Sequence, residues 1–311
     1  MPDRQAAGGG DSATAQERSG TDVPDRSSLP RRASPPERAA LPDSVDATAP
    51  LDAAFLEVLE HGLTELALPL DARTRAAIEA HARLLLAWNE HVNLSGLRTA
   101  EQVARGHVLD SLLAVATLRA LGRARPSLLD LGSGGGYPGL PLAVALPARR
   151  AALVDSIGKK AAFLEVAGRA VVDALGAAPA SASDTPQITV LAERAEDLAQ
   201  EPDQRETWDV VTARAVGSVA EVAELGLPLV HVGGHVVCWK LAGSVTPLKA
   251  EIAAAARVIQ AAGGGTVRVV KLPAAARVGL EGHCLVVVRK ARPTPDRYPR
   301  SPGERRRRPL P

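Results

Sequence analysis

A glycine-rich segment at residues 130–139, with the sequence DLGSGGGYPG, has the composition of a loop that holds a nucleotide or a nucleoside. Glycine has no Cβ, so a backbone rich in glycine can turn sharply and approach a ligand closely. The segment follows an apolar run that predicts a strand, and it precedes a predicted helix. In open α/β sheets, ligands bind at this end of the strands. A plain tight turn is the alternative interpretation.

The glycines of this loop fit two spacings. Gly134, Gly136 and Gly139 satisfy G-x-G-x-x-G, the pattern of dinucleotide sites. Gly132, Gly134 and Gly136 satisfy D-x-G-x-G-x-G, the pattern of methyltransferases. We favour the second spacing because its first glycine directly follows the strand. In addition, the carboxylate of Asp130 suits the ammonium group of a methionine moiety and would oppose a pyrophosphate.

Three later segments place polar groups where further strands are predicted to end. Asp155 can accept hydrogen bonds from both hydroxyls of a ribose, a feature that NAD and S-adenosylmethionine enzymes share. The backbone of Ala195 and the carboxylate of Glu196 can bond the ring edge and the amino group of an adenine. Arg214 can hold a ligand carboxylate or an RNA phosphate through two parallel hydrogen bonds. The alternatives are a solvated helix cap for Asp155, a solvated charged turn around Glu196 and an outward-facing surface arginine for Arg214.

The elements that must position these residues alternate between strands and helices. Apolar runs predict strands at 127–131, 150–154, 187–191, 208–212, 234–239, 266–271 and 283–289. Helices are predicted between them, and such alternation indicates a mostly parallel sheet that is covered on both faces. Because only a short connection precedes the last run, we predict that the last strand is antiparallel and lies at an edge of the sheet.

Helical periodicity precedes the first strand. Apolar residues recur at helical spacing over 52–67, Asp71 is the predicted N-cap of a helix that reaches about residue 91, and a shorter helix is predicted over 101–120. The predicted fold class is therefore α/β. It is a Rossmann-like, class I methyltransferase fold with a mostly parallel seven-stranded sheet, an antiparallel edge strand and preceding N-terminal helices.

The two ends of the chain differ in composition from its middle. Residues 1–50 are rich in proline and lack aromatic residues, and residues 291–311 are rich in proline and arginine. Such segments bury too little apolar area to offset the entropy of ordering. We therefore predict a disordered N-terminal extension over 1–50, a methyltransferase domain over 51–290 and a disordered basic tail over 291–311.

The composition also excludes several classes of protein. The 311-residue chain has a formal net charge of +2 and two cysteines, Cys238 and Cys284, far apart. Neither a disulfide framework nor a metal-ligand spacing is present, so we predict no metal site and a reducing, cytoplasmic compartment. No run of roughly 20 apolar residues predicts a membrane span. With so small a net charge, binding of nucleic acid has to depend on a local basic patch.

A series of short motifs, in one order along the chain, resembles those of a known family. The motifs are Trp88-Asn89, Asn93-Leu94-Ser95, His107 with Asp110-Ser111, the glycine loop, Val154-Asp155-Ser156 with Gly158-Lys159-Lys160, Arg194-Ala195-Glu196 and Arg214-Ala215. Over about 55–290 the chain resembles the glucose-inhibited division protein B family, also called RsmG, of 16S rRNA guanine-N7 methyltransferases.

The resemblance implies S-adenosylmethionine as the cofactor. It also implies a guanine of 16S ribosomal RNA, or of a small-subunit precursor, as the substrate. Together with the loop spacing, it implies cofactor contacts at Gly132, Gly134, Tyr137, Asp155, Ala195, Glu196 and Arg214. Around the mouth of that site we expect RNA contacts from His107, Asp110, Lys159, Lys160, Arg214 and Lys240.

Guanine N7 carries an in-plane lone pair, so its methylation needs positioning but no general base. We therefore predict no catalytic residue, and we expect a monomer. Two other readings stay open at this point. One is a small-molecule methyltransferase on the same fold, and the other is a nucleotide-binding regulator without catalysis.

Overall fold

The described residues of the computed structural model form one seven-stranded sheet with helices on both faces. These residues are 40–122, 124–176, 185–242 and 247–307. The strands are β1 (Ser127–Leu131), β2 (Arg150–Val154), β3 (Gln187–Leu191), β4 (Trp208–Ala213), β5 (Val230–Leu241), β6 (Gly264–Lys271) and β7 (His283–Lys290). Every predicted strand is therefore confirmed, and β5 is longer than expected.

The strand order is β3-β2-β1-β4-β5-β7-β6. Neighbours from β3 to β5 pair in parallel, and β7 pairs antiparallel with both β5 and β6. The last strand is thus antiparallel, as predicted, but its predicted place at the edge is wrong because β6 forms the edge. Five successive residues of β7, 284–288, are buried. Only a strand that is paired on both sides and covered on both faces can bury such a run.

The helices divide between the two faces of the sheet. Their bounds are α1 (Ala53–Glu65), α2 (Ala72–Asn89), α3 (Ala100–Val103), α4 (Asp110–Leu112), α5 (Val115–Ala120), α6 (Gly139–Ala145), α7 (Gly158–Leu175), α8 (Ala195–Leu198), α9 (Val219–Gly226), α10 (Leu248–Ala261), α11 (Pro273–Arg277) and α12 (Pro302–Arg307). One apolar core joins the sheet to α1, α2, α6 and α7, and a second joins it to α9 and α10. None of the helices in the described ranges is long and apolar enough to cross a membrane.

The N-terminal helices follow the predicted pattern with one difference. Asp71 caps α2 as predicted, because its carboxylate accepts a 2.7 Å hydrogen bond from the backbone N–H of Thr74. The helix predicted over 101–120 is instead broken into α3, a π-helical segment at Ala104–Leu109, α4 and α5. The π-helical segment contains Gly106 and His107, and wide turns of this kind occur often at functional sites.

The predicted N-terminal boundary needs correction. The indole N–H of Trp88 donates a 2.7 Å hydrogen bond to the carbonyl of Pro42. The Arg83 guanidinium donates to the carbonyls of Val45, Thr48 and Ala49. Residues 42–49 therefore dock on α2 through backbone carbonyl acceptors, although their composition predicts disorder. The rest of the predicted extension, residues 1–39, lies outside the described residues.

The predicted disordered tail also needs correction over 291–307. Tyr298 is buried, and the side chain of Arg300 forms an ion pair with the buried carboxylate of Glu224 on α9. We call residues 291–307 the C-terminal arm. Two of its arginines, Arg300 and Arg305, are held by carboxylates that lie far away in sequence, so its composition alone did not indicate order. Residues 308–311 lie outside the described ranges.

Candidate functional site

The glycine loop turns away from β1 through backbone conformations that favour glycine. Gly132, Gly134 and Gly136 have φ angles of +64°, +52° and +81°. Ser133 ties the loop to β2, because its N–H donates to the carbonyl of Val154 and its hydroxyl accepts from the N–H of the same residue. The loop is therefore fixed where the carboxyl ends of β1 and β2 meet.

The glycines of the loop have different neighbours. A Cβ added at Gly132 or Gly136 would lie 2.8 Å from Val216 or His81, so these two positions need glycine for packing. At Gly134 the nearest atoms would be 3.8–4.0 Å away, and they include Asp155 and Lys160. Gly134 is thus the loop position whose backbone a ligand can approach closely, and a larger side chain there would fill that approach.

Asp155 lies beside Gly134, as a shared ligand site requires. One carboxylate oxygen of Asp155 accepts a 3.0 Å hydrogen bond from the N–H of Gly134, and the other accepts from the N–H of Ile157. The ammonium group of Lys160 is 3.9 Å from the Cβ position at Gly134. Lys159, next to it in sequence, is exposed. The structure therefore brings Asp155, Gly134 and Lys160 together and leaves Lys159 on the surface.

Asp130 does not have the surroundings that the sequence predicts. Its carboxylate is 1% exposed and accepts hydrogen bonds from the hydroxyl of Thr212 (2.7 Å) and the N–H of Gly139 (3.2 Å). Burial raises the pKa of Asp130 to about 6. The prediction that this carboxylate faces a ligand ammonium group is therefore wrong for the structure. Asp130 instead links the loop to β4, through its hydrogen bonds with Gly139 and Thr212.

Tyr137 lies between two histidine rings. Its ring centroid is 4.2 Å from that of His81 and 4.6 Å from that of His107, and both pairs are stacked. The side chain is 4% exposed, and its hydroxyl is buried without a hydrogen-bond partner among the described residues. An unpaired buried hydroxyl costs free energy, so a ligand that reached it would be stabilised by bonding to it.

His81 was not predicted from the sequence. Its Nε2 lies 2.7 Å from the carbonyl of Gly135, which can only accept, so Nε2 carries the proton and donates. Burial lowers the pKa of His81 to about 4, so the ring is neutral at neutral pH. The sequence offers only a weak indication that His81 is buried. It lies on the apolar face of α2, four residues after Ala77 and four before Leu85.

Arg214, at the end of β4, is the centre of a hydrogen-bond network with the π-helical segment. Its guanidinium donates to the carbonyl of Gly106 (2.9 Å), to the carboxylate of Asp110 (2.7 Å) and to Nδ1 of His107 (2.7 Å). Because Nδ1 accepts, His107 carries its proton on Nε2 and donates it to the hydroxyl of Ser95 (2.6 Å). Burial, with a smaller contribution from the charge of Arg214, lowers the pKa of His107 to about 3.

The same network reaches β7 and β5 through Asp110. The second carboxylate oxygen of Asp110 lies 2.8 Å from Nδ1 of His283, and its backbone carbonyl accepts from the indole N–H of Trp239. The hydrogen bond to Asp110 raises the pKa of His283 above its ordinary value. No local pattern indicates a role for His283, since only the insertion of β7 beside β5 brings it to Asp110.

Lys240 lies apart from this network. Its ammonium group donates to the carboxylate of Glu251 (2.6 Å) and to the carbonyl of Gly217 (2.9 Å), and its side chain is 16% exposed. Glu251 also accepts from the N–H of Val219 at the start of α9. The structure thus uses Lys240 to join β5, α9 and α10, and its surroundings do not favour the RNA contact that we expected there.

Glu196 and Ala195 begin α8, which follows β3. The N–H groups of the first turn of a helix lack intrahelical acceptors, so the backbone here can donate to a ligand. The Glu196 carboxylate forms an ion pair with Arg305 of the C-terminal arm, and both side chains are 15% exposed. The register Leu131↔Val154↔Leu191 aligns the carboxyl ends of β1, β2 and β3, so α8 begins on the same side of the sheet as the glycine loop.

Comparison with known proteins gives a consistent result. The model of the family described as rRNA small subunit methyltransferase G matches residues 74–277. The ribosomal RNA small subunit methyltransferase G of Roseiflexus sp. (strain RS-1) is 40% identical over 243 residues, which cover 78% of this chain and 94% of the relative. The protein of the same name from Moorella thermoacetica is 38% identical over 235 residues, 76% of this chain and 90% of the relative.

Similarity to a solved structure is weaker. The fibrillarin pre-rRNA processing protein of Methanococcus jannaschii aligns with a TM-score of 0.38 and 15% identity, over 55% of this chain and 69% of that one. The extent and the level of identity to the sequence relatives decide the classification. This chain belongs to the rRNA small subunit methyltransferase G family.

Proposed function

We propose that this protein transfers a methyl group from S-adenosylmethionine to N7 of a guanine in 16S ribosomal RNA. The observation that carries the proposal is the convergence of Gly134, Asp155 and the Arg214 network at the carboxyl ends of β1, β2 and β4. Ligands of open α/β sheets bind there. Membership of the rRNA small subunit methyltransferase G family supports the reaction and the class of RNA.

The residues at this edge of the sheet fit the cofactor. Gly134 has the open backbone that a nucleoside needs for close approach, and the nearly buried carboxylate of Asp155 lies beside it as an acceptor for ribose hydroxyls. Glu196 and the backbone of Ala195, at the end of the neighbouring strand, fit the edge of an adenine. Tyr137 offers a buried hydroxyl without a partner in the described part of the chain. We assign the cofactor to these residues, together with Gly132 and Arg214.

The titratable groups of the site fit a reaction that needs no general base. Bound S-adenosylmethionine supplies an electrophilic methyl group, and guanine N7 has a lone pair ready to accept it. Both ring nitrogens of His107 are held, by Ser95 and by Arg214. Both carboxylate oxygens of Asp110 are held, by Arg214 and by His283. These groups are thus arranged to fix the shape of the site, and positioning accounts for the catalysis.

Contacts to RNA are proposed for the rim of the site. Lys159 is exposed and Lys160 is half-buried beside Gly134, so the two ammonium groups flank the cofactor without belonging to the internal network. His107 and Asp110 are held within the Arg214 network, and we propose that they shape the rim rather than contact phosphates. We further propose a monomer that acts in the cytoplasm on 16S rRNA or on a precursor of the small subunit.

The function is tested by mapping N7-methylguanine in 16S rRNA after incubation with the purified protein and S-adenosylmethionine. Naked rRNA and assembled small subunits are the two substrates, and Gly134→Val is the inactive control. We expect one new N7-methylguanine with the wild-type chain and none with the control. Methylation at another atom, or of neither RNA substrate, would contradict the proposal.

A further inference from the structure

The C-terminal arm is anchored to the domain before it reaches the cofactor side of the sheet. Thr294 donates its hydroxyl to the carbonyl of Ala262 (2.6 Å), and its N–H donates to the carboxylate of Glu206 (2.7 Å). The guanidinium of Arg205 donates to the carbonyls of Thr294 and Tyr298, both at 3.0 Å. These contacts fix the path of the arm in its first half.

A buried ion pair fixes the second half of the arm. Nε of Arg300 is 2.8 Å from one oxygen of Glu224, and the N–H₂ group is 2.6 Å from the other. The Glu224 side chain is 2% exposed on α9, so its charge would be buried without compensation if the arm left. Removing one partner of such a pair is strongly destabilising, and the arm is therefore a constant part of the fold.

Beyond this anchor, Arg305 extends from α12 to the start of α8. One of its terminal nitrogens donates to the carbonyl of Arg300 (2.9 Å), and the other bonds one carboxylate oxygen of Glu196. No other donor in the described ranges bonds to Glu196. The second carboxylate oxygen therefore remains available as an acceptor, in an orientation that Arg305 fixes.

We propose that Arg305 is a positioning residue of the cofactor site, which holds the Glu196 carboxylate so that its second oxygen accepts from the 6-amino group of the adenine. The inference depends on the proposed function, because it takes the adenine to lie beside Glu196. It assigns a role in nucleoside recognition to the C-terminal arm. The arm lies beyond the 74–277 match to the family.

The test is calorimetric binding of two ligands to the full chain. S-adenosylhomocysteine carries the 6-amino donor, and S-inosylhomocysteine carries a carbonyl oxygen in its place. The variants are Arg305→Ala, Arg305→Lys and the matched control Arg306→Ala, which removes one exposed charge from the same helix. Melting temperatures are measured for all three, so that loss of folding is separated from loss of recognition.

We expect Arg305→Ala to weaken S-adenosylhomocysteine binding about tenfold, equivalent to about 1.4 kcal/mol. Its effect on S-inosylhomocysteine should be smaller, so the preference for the amino ligand shrinks. Arg305→Lys should restore part of this preference, because it keeps the charge but not the planar geometry. Arg306→Ala should change neither affinity.

Three results would overturn the inference: an unchanged affinity in Arg305→Ala, a tighter affinity, or an equal loss for both ligands. If Arg305→Ala unfolds, the ligand preference of a folded Arg305→Lys chain decides in the same way. Failure of the proposed function would look different, because the wild-type chain would then not bind S-adenosylhomocysteine or would leave guanine N7 unmethylated.

Discussion

Replacing Arg214 with methionine should destabilise the protein more than any surface arginine would. The Arg214 side chain is 15% exposed and the Asp110 side chain 3%. Arg214→Met leaves Asp110 with His283 as its remaining side-chain partner and removes the donor to His107. Breaking a buried ion pair from one side costs about 3–5 kcal/mol, and we take the lower end because Arg214 is partly exposed.

The expected loss converts to a change in melting temperature. For a domain of this size, 1 kcal/mol corresponds to about 2–4 °C, so a loss of about 3 kcal/mol lowers Tm by about 6–12 °C. The matched control is Arg105→Met. Its side chain is 36% exposed, pairs with Glu101 on the surface and donates one hydrogen bond to the carbonyl of Val278. A hydrogen bond of this kind contributes about 1 kcal/mol. Exposed pairs of this kind contribute at most about 1 kcal/mol.

The assay is denaturant and thermal unfolding of Arg214→Met, Asp110→Asn and the double variant. Because the two side chains are in direct contact, their effects should not be additive, and the double variant should be more stable than the sum of the single losses predicts. NMR titration should also show the pKa of His107 rising from about 3, since the charge of Arg214 contributes to lowering it. Additive effects, or a Tm within about 2 °C of that of the wild type, would refute the reasoning.

Three further predictions concern the boundary, the rim and pH. A chain that begins at Leu51 should melt at a lower temperature than one that begins at Ala40, because it lacks the acceptors for Trp88 and Arg83; equal melting temperatures would show that residues 42–49 do not stabilise the domain. Each phosphate contact on a single strand contributes about 0.7 to the slope of the logarithm of RNA affinity against the logarithm of salt concentration. The double variant Lys159→Ala with Lys160→Ala should therefore reduce the magnitude of this slope by about 1.4, and Lys159→Ala alone by about 0.7. An unchanged slope would remove both lysines from the RNA surface. The raised pKa of His283 means that its contact with Asp110 stabilises the fold fully below the unfolded-state pKa, near 6.5, and loses this effect as pH rises through the folded-state pKa. In unfolding experiments His283→Gln should be less stable than the wild type at low pH, and the difference in free energy of unfolding should shrink as pH rises. A difference that does not depend on pH would contradict this assignment.

Local sequence patterns were enough to predict the strands and the helices that flank them. The apolar runs 127–131 and 151–154 are buried in the sheet, and the N-cap at Asp71 depends only on its neighbours in sequence. The position of β7 was not predictable in this way, because hydrophobicity shows that a strand is buried but not between which neighbours it lies.

In the candidate site, too, local sequence patterns predict residue types but not contacts between distant parts of the chain. The loop glycines and Asp155 were found because their types and spacing are local properties. The buried position of Asp130 depends on Thr212, which lies on another strand, and the partner of His283 is 173 residues away along the chain. The order of the C-terminal arm likewise depends on distant residues, because the carboxylates of Glu224 and Glu196 bind two of its arginines.

The insertion of β7 between β5 and β6 has a consequence for synthesis. β7 is translated after all the other strands, yet it separates two strands that are made before it. Until β7 arrives, β5 and β6 have edges whose backbone groups lack their native partners, and unprotected edges of this kind promote aggregation. Asp110 also lacks its partner His283 until β7 is made. A chain that ends before residue 283 would therefore lack both a complete sheet and a complete site. We therefore expect such fragments to be removed by proteolysis rather than to persist as partly active enzyme.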